Sequence, residues 1–258
     1  MSEPLGERPM HAATTVSSNG SVPPESGPPL LELRGIHAAY DNINVLRGVD
    51  LVVPEGNVVA VLGPNGAGKT TTLRVAAGLH PCTAGDVVVA GHRVNGARPD
   101  ELARRGLCLI PEGRGIFPNL TVRENLWMMS HARRPLKEIE ETTYERFDRL
   151  KGRGGQVAGT LSGGEQQMLA MARGLATDPA LLILDELSMG LAPIIVEDLY
   201  RLVASVAAEG VSILVVEQFA RIVMDVADVA AVMLQGKVVQ VGPPKELEET
   251  LSQAYLGG

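Results

Sequence analysis

The stretch Gly63-Pro64-Asn65-Gly66-Ala67-Gly68-Lys69-Thr70 places glycines, a lysine and a hydroxyl within one turn of chain. The glycines let the backbone curl, so that several N–H groups converge on one anion. An apolar run, Asn57 to Leu62, precedes the curl, and a helix pattern, Lys69 to Leu79, follows it. The start of that helix adds its dipole to the anion site. This order is the G-x-x-x-x-G-K-[ST] phosphate loop. Lys69 supplies a point charge for the outer phosphates, and the Thr70 hydroxyl suits Mg²⁺. The nucleotide-binding set continues through Thr71.

A second constellation closes another apolar run. Leu181-Leu182-Ile183-Leu184 ends in Asp185-Glu186. A strand buried on both faces delivers such acids at its C-terminal edge, where open α/β sheets bind ligands. Asp185 is placed to hold Mg²⁺, directly or through water, and Glu186 to orient and deprotonate a water attacking the terminal phosphate. Acids after a strand also occur as solvated turn residues; the phosphate loop upstream favours the catalytic reading. A third element, Leu161-Ser162-Gly163-Gly164-Glu165-Gln166-Gln167, opens a helix with a hydroxyl and two glycines. It reads as a second anion site, or as a helix cap in which Ser162 and Glu165 form a capping box. One nucleotide does not need two cradles from one chain, so the second is expected to serve a nucleotide held by another copy.

The elements that must position these groups follow from periodicity. Leu31 to Leu33 and Val49 to Val53 alternate as strands with one solvated face. Asn57–Leu62, Leu181–Leu184 and Val211–Val216 are continuous apolar runs, as in a parallel sheet covered on both sides. Asp86–Ala90 and Leu107–Ile110 read as further strands, and Val229–Val241 as a hairpin across Gln235-Gly236. Helices are expected over Gly163–Thr177 and Ile194–Glu209, and over most of Thr121–Leu150 with a break at Pro135. The first 29 residues are rich in Pro, Ser and Gly without a hydrophobic period, and read as a disordered tail.

Composition bounds the partners. A chain of 258 residues has length for one large α/β domain. Its net charge of -7 disfavours nucleic acid, because the pairs Arg104-Arg105 and Arg133-Arg134 are isolated. Cys82 and Cys108 lack metal-like spacing and read as small core residues. No uncharged apolar stretch approaches the roughly 18 residues of a membrane span, and the start of the chain lacks a secretory pattern. A cytoplasmic protein is expected, peripheral on the inner face of the membrane if it serves one.

The string Leu161 to Gln166 resembles the signature motif of ABC-transporter ATP-binding subunits, and the resemblance runs from about Leu30 to the end. It implies a P-loop NTPase of the ABC ATPase type. Its mixed parallel sheet core would carry an antiparallel β subdomain and a helical subdomain at about 113–165, all within one domain over 30–258. It also implies Mg²⁺-dependent ATP hydrolysis by a head-to-tail dimer. Each ATP would lie between one phosphate loop and the partner copy's counterpart of Leu161, Ser162, Gly163, Gly164 and Glu165. Tyr40 falls where the family stacks an aromatic on adenine; a packing role at a strand end is the alternative.

The chain departs from the family pattern at defined points. Glu112 stands where glutamine is usual in the Q-loop and is a further candidate Mg²⁺ ligand. Gln218 replaces the switch histidine; its amide can donate and accept but cannot become cationic. Leu187 replaces a proline, which is expected to loosen the turn after Glu186, and Ala192 replaces an aspartate that usually links the two sites. With the ending Ala254-Tyr255-Leu256-Gly257-Gly258, the pattern resembles the branched-chain amino acid importer ATPase that lacks a long helical-region insertion; urea and short-amide importers have close relatives. Expected partners are transmembrane permease subunits, a second ATPase subunit and, indirectly, a solute-binding protein. Residues 114–119 and Glu124 to Met129 are expected to receive the permease, or else to pack the helical core. The competing reading is a nucleotide-dependent binding subunit with weak hydrolysis. A soluble ABC protein acting on DNA or ribosomes would bring tandem domains or basic arms, which the chain does not display.

Overall fold

The computed structural model describes residues 29–113, 115–130, 134–218 and 220–256. The expected tail therefore lies outside the described residues up to position 28, as do Arg114, Arg133, Gly257 and Gly258.

Along the chain come β1 (Leu31–Tyr40), β2 (Ile43–Val53), β3 (Val58–Leu62), α1 (Lys69–Ala76), β4 (Ala84–Val89), β5 (His92–Arg93), α2 (Pro99–Arg104) and β6 (Leu107–Ile110). Then follow α3 (Val122–Trp127), α4 (Leu136–Arg146), α5 (Gly163–Leu175), β7 (Leu181–Asp185), α6 (Pro193–Ala208), β8 (Ser212–Glu217), α7 (Ala220–Met224), β9 (Val229–Leu234), β10 (Lys237–Gly242) and α8 (Glu248–Leu256). The strands form two sheets, ordered β2-β1-β4-β5 and β10-β9-β3-β8-β7-β6. The first is antiparallel throughout. In the second, β9, β3, β8, β7 and β6 run parallel, and β10 closes one edge antiparallel to β9.

The continuous apolar runs are explained by burial on both faces. Successive side chains of a strand point to opposite sides. Ala60, Leu62, Leu182, Leu184 and Val215 face one core, shared with Leu169 of α5 and Leu199 and Val203 of α6. Val59, Val61, Ile183, Leu214 and Val216 face the other, shared with Leu73 of α1 and with Leu33 and Val49 of the antiparallel sheet. A one-residue slip in any of these strands would exchange its two faces.

The expected helical block at 121–150 is shorter in helix than the pattern suggested. α3 is six residues long and α4 eleven, with Pro135 outside the helix as its N-cap residue. Thr121 caps α3: its hydroxyl accepts from Glu124 N at 3.2 Å, and its own N–H donates to the Glu124 carboxylate at 2.7 Å. The expected hairpin is present, with Gln235 and Gly236 at φ 46° and 80° at its tip, but its first strand β9 also joins the parallel sheet beside β3. Cys82 and Cys108 are free thiols, half-buried rather than at the centre of a core. Among the described residues, no helix is long and apolar enough to cross a membrane.

Candidate functional site

Parallel pairing puts the C-terminal ends of β3, β8 and β7 on one edge, with β8 between the other two. The phosphate loop leaves β3, the acid pair leaves β7, and Glu217 ends β8. The loop is tight. A Cβ on Gly63 would lie 2.2 Å from the Met233 carbonyl oxygen, and one on Gly68 would lie 2.9 Å from side-chain atoms of Leu46 and Met233. Lys69 is buried, and its Nζ donates to the carbonyls of Gly63 at 2.9 Å and Pro64 at 3.2 Å. Burial lowers the Lys69 pKa, against the opposing pull of Glu186, Asp185 and Glu217.

The Thr70 hydroxyl donates to Asp185 Oδ1 at 3.3 Å, which joins the helix after the loop to the end of β7. Asp185 is buried, and that burial raises its carboxyl pKa above the ordinary range. Glu186 lies 4.0 Å from Lys69 Nζ, and burial raises its pKa as well. Its backbone is left-handed, φ 49°, an unusual conformation for glutamate, and its N–H donates to Val216 O at 3.0 Å. The arrangement offers a cationic phosphate clamp, a paired hydroxyl and carboxylate, and a second carboxylate presented at the strand edge. Hard oxygen donors of this kind fit Mg²⁺, with phosphate oxygens and waters to complete its shell. Among the described residues, no three His, Cys, Asp or Glu side chains gather into a metal cluster. Glu112 is exposed in the turn after β6, and its charge acts on Asp185 and Glu186 from there.

The second cradle is a formed helix start. Ser162 Oγ accepts from Glu165 N at 3.4 Å, and Ser162 N donates to the Glu165 carboxylate at 2.8 Å. Arg153 pairs with the same carboxylate at 3.1 Å. Gly164 is where α6 comes closest, since a Cβ there would sit 2.5 Å from Ile195 Cγ2. Ser162 is exposed at the head of a thirteen-residue helix. The capping box and an anion site are compatible, because Ser162 Oγ accepts from Glu165 N and keeps its hydroxyl hydrogen to donate to an anion.

The profile of the family described as ABC transporter matches residues 46–188, from β2 through the turn after Glu186. The chain belongs to the ABC transporter family. It is 37% identical over 233 residues to the high-affinity branched-chain amino acid transport ATP-binding protein BraG of Pseudomonas aeruginosa, covering 89% of this chain and 100% of that one. It is 32% identical over 236 residues to the lipopolysaccharide export system ATP-binding protein LptB of Escherichia coli K12, covering 88% and 97%. Among solved structures, the ADP conformation of the ATP-binding cassette MJ1267 superposes with a TM-score of 0.79 at 25% identity, over 90% of this chain and 100% of that one. The chain is thus an ABC ATPase, an ATP-binding subunit, and the P-loop fold expected from its sequence is the fold it has.

Tyr40 and Gln218, both candidate site residues of this ABC ATPase, lie outside the profile match. Tyr40 stacks on His80 with ring centroids 4.2 Å apart, and its hydroxyl accepts from Arg74 at 3.4 Å. Gln218 is half-buried beyond β8, and its carbonyl accepts the Tyr255 hydroxyl of α8 at 2.5 Å. Between the Q-loop and α3, the surface is mixed. Asn125 and Leu126 are fully buried, and Asn125 holds the Phe117 backbone through both its amide groups. Phe117, Trp127 and Met128 are exposed. Arg173 of α5 lies over the Phe117 ring at 4.7 Å and donates to the Gly115 carbonyl.

Sequence reasoning gave no role of their own to Glu217, His80, Arg173 and Tyr255, although Tyr255 belongs to the ending that carries the resemblance. Glu217 left a signal: it ends an apolar run with a carboxylate, as Asp185 does. His80, Arg173 and Tyr255 left none, because their partners are set by contacts between elements far apart in sequence.

Proposed function

We propose that this ABC ATPase energises a membrane importer for branched-chain or related amino acids. The observation that carries the hydrolytic part is the shared sheet edge, where Lys69, the Thr70–Asp185 pair and Glu186 converge. The likeness to BraG supports the substrate class. Residues 30–258 would form one ATP-binding domain, with residues 113–165 as its helical part.

Residues Gly63 to Thr71 bind the phosphates through backbone N–H groups and the Lys69 ammonium, and Tyr40 offers a ring face to adenine. Thr70 and Asp185 would hold Mg²⁺, and Glu112 would be a further ligand, directly or through water; the ion would supply charge neutralisation at the outer phosphates. Glu186 accepts the proton of a water as its oxygen attacks the γ-phosphorus. The bond from that phosphorus to the bridging oxygen breaks, and ADP leaves with the electron pair. Gln218 orients the water through its amide. Leu161 to Glu165 of a second copy close over the ATP, Ser162 and the following N–H groups facing the γ-phosphate. Phe117, Trp127 and Met128 would offer an apolar face to a transmembrane permease, and the subunit would then work at the cytoplasmic face of the membrane; a solute-binding protein would act through that permease.

The test is Glu186→Gln. Phosphate release should fall by about 100-fold or more with ATP binding retained, the scale of a lost general base. Unchanged turnover would leave the proposal without its base. The alternative, a nucleotide-dependent binding subunit, is favoured by Gln218 in the switch position; it requires tight ATP binding with negligible phosphate release in the native chain.

A further inference from the structure

Glu217 is a buried carboxylate, 1% exposed, closing the apolar run of β8, with Lys69 and Glu186 near enough to feel its charge. An isolated charge there would cost several kcal/mol, so its partners define its use. Among the described residues it has three donors. Ser188 N donates to Oε1 at 3.0 Å, Ser188 Oγ to Oε2 at 2.7 Å, and Tyr200 OH to Oε1 at 2.6 Å. Burial, with Glu217 beside it, pushes the Tyr200 phenol well above its ordinary pKa, so it remains a donor.

Ser188 is two residues beyond Glu186. The turn between them is therefore tied to β8 at both ends: Glu186 N to Val216 O at 3.0 Å, and Ser188 N and Oγ to Glu217. Within this turn Glu186 holds the left-handed backbone, φ 49°, that aims its carboxylate toward Lys69. Such a conformation persists only when its surroundings over-determine it. Leu187, where the family has proline, is 1% exposed, so the turn is restrained by side-chain burial and by the Glu217 clamp rather than by a ring.

We propose that Glu217 is a positioning residue for hydrolysis: through Ser188 it fixes the Glu186–Ser188 turn, and so holds the base in line with its water. This rests on the reading of Glu186 as the base. Tyr200 spends its one hydroxyl hydrogen on the same carboxylate from α6 rather than on the turn, and so it separates positioning from stability.

The experiment measures kcat, KM for Mg-ATP and melting temperature on the full chain for Glu217→Gln, Ser188→Ala, their double variant, Tyr200→Phe and Glu186→Gln. Glutamine offers one acceptor oxygen where the carboxylate offers two. Glu217→Gln and Ser188→Ala should each lower kcat by about 10-fold while KM stays within about twofold, the pattern of an interaction used in the transition state. The double variant should be no worse than Glu217→Gln alone, because both act through one link. Tyr200→Phe should lower the melting temperature while kcat stays within about twofold. Loss of kcat that tracks melting temperature across the whole set, or multiplicative losses in the double variant, would overturn the proposal. If Glu186→Gln abolishes turnover and Glu217→Gln does not slow it, the positioning role alone fails. If Glu186→Gln turns over normally, the base assignment beneath it fails.

Discussion

At the scale of single residues, the site depends on atoms that fit only one way. Gly63 is the sharpest case. A methyl group there meets the Met233 carbonyl oxygen at 2.2 Å, and the backbone of β9 cannot yield as a side-chain tip can. Gly63→Ala is expected to cost about 1–3 kcal/mol of stability, the scale of an overpacked core, and to weaken ATP binding; a native urea midpoint with native nucleotide affinity would contradict this. The switch position makes a different demand. Gln218 has no proton to gain or lose near neutral pH, whereas histidine titrates at about 6.5. The pH profile of kcat for Gln218→His should therefore show a step near that value that the native enzyme lacks. Superimposable profiles would mean that position 218 does not face the reaction. The residue types of the phosphate loop and of the Asp185-Glu186 pair were legible in the sequence because each chemical role is confined to a short string. Glu217 was not, since a carboxylate closing a strand acquires a role only from Ser188 and Tyr200 on other elements.

At the scale of elements, periodicity located the long runs and missed the short ones. β3, β7 and β8 are plain in the sequence because burial on both faces demands unbroken apolar residues. α2, α7 and the two-residue strand β5 are too short to show a period. The block at 121–150 looked more helical than it is, since polar residues at helix-compatible spacing also suit the turn at 128–130 that ends α3. α3, at six residues, leans on its cap. The Thr121 N–H and hydroxyl bonds hold the Glu124 carboxyl below its ordinary value of 4.5. A depressed carboxyl contributes stability above its unfolded pKa and loses it as pH falls through the folded value. Thr121→Ala should thus lower the urea midpoint at pH 7, and the gap from native should narrow as pH drops below about 4.5, because the hydroxyl's bond to the Glu124 carboxylate weakens there while its bond to Glu124 N does not. A gap that is the same at pH 7 and pH 3 would show that the hydroxyl's bond to the carboxylate adds nothing to the cap.

At the scale of the whole molecule, the phosphate loop and Ser162 are two anion-binding helix starts in one chain, and two copies in opposite orientation would bring one of each to every nucleotide. In a Glu186→Gln background with Mg-ATP, the chain should elute as a dimer. Adding Ser162→Arg should abolish that dimer while each monomer still binds ATP. A dimer that survives the arginine would place the interface elsewhere. The sequence by itself determined the chemistry on offer: a phosphate cradle, a strand-end acid pair, a signature turn, and the α/β class whose buried strands carry them. These are local properties, written in contiguous residues. Only the tertiary structure decided the strand order β10-β9-β3-β8-β7-β6, and with it the placing of Glu217 between the cradle and the acid pair. The physical reason is that strand order rests on pairings between segments up to a hundred and more residues apart, such as β3 with β8. β3, β7 and β8 are each apolar on both faces, so composition alone gives no preference for one neighbour over another.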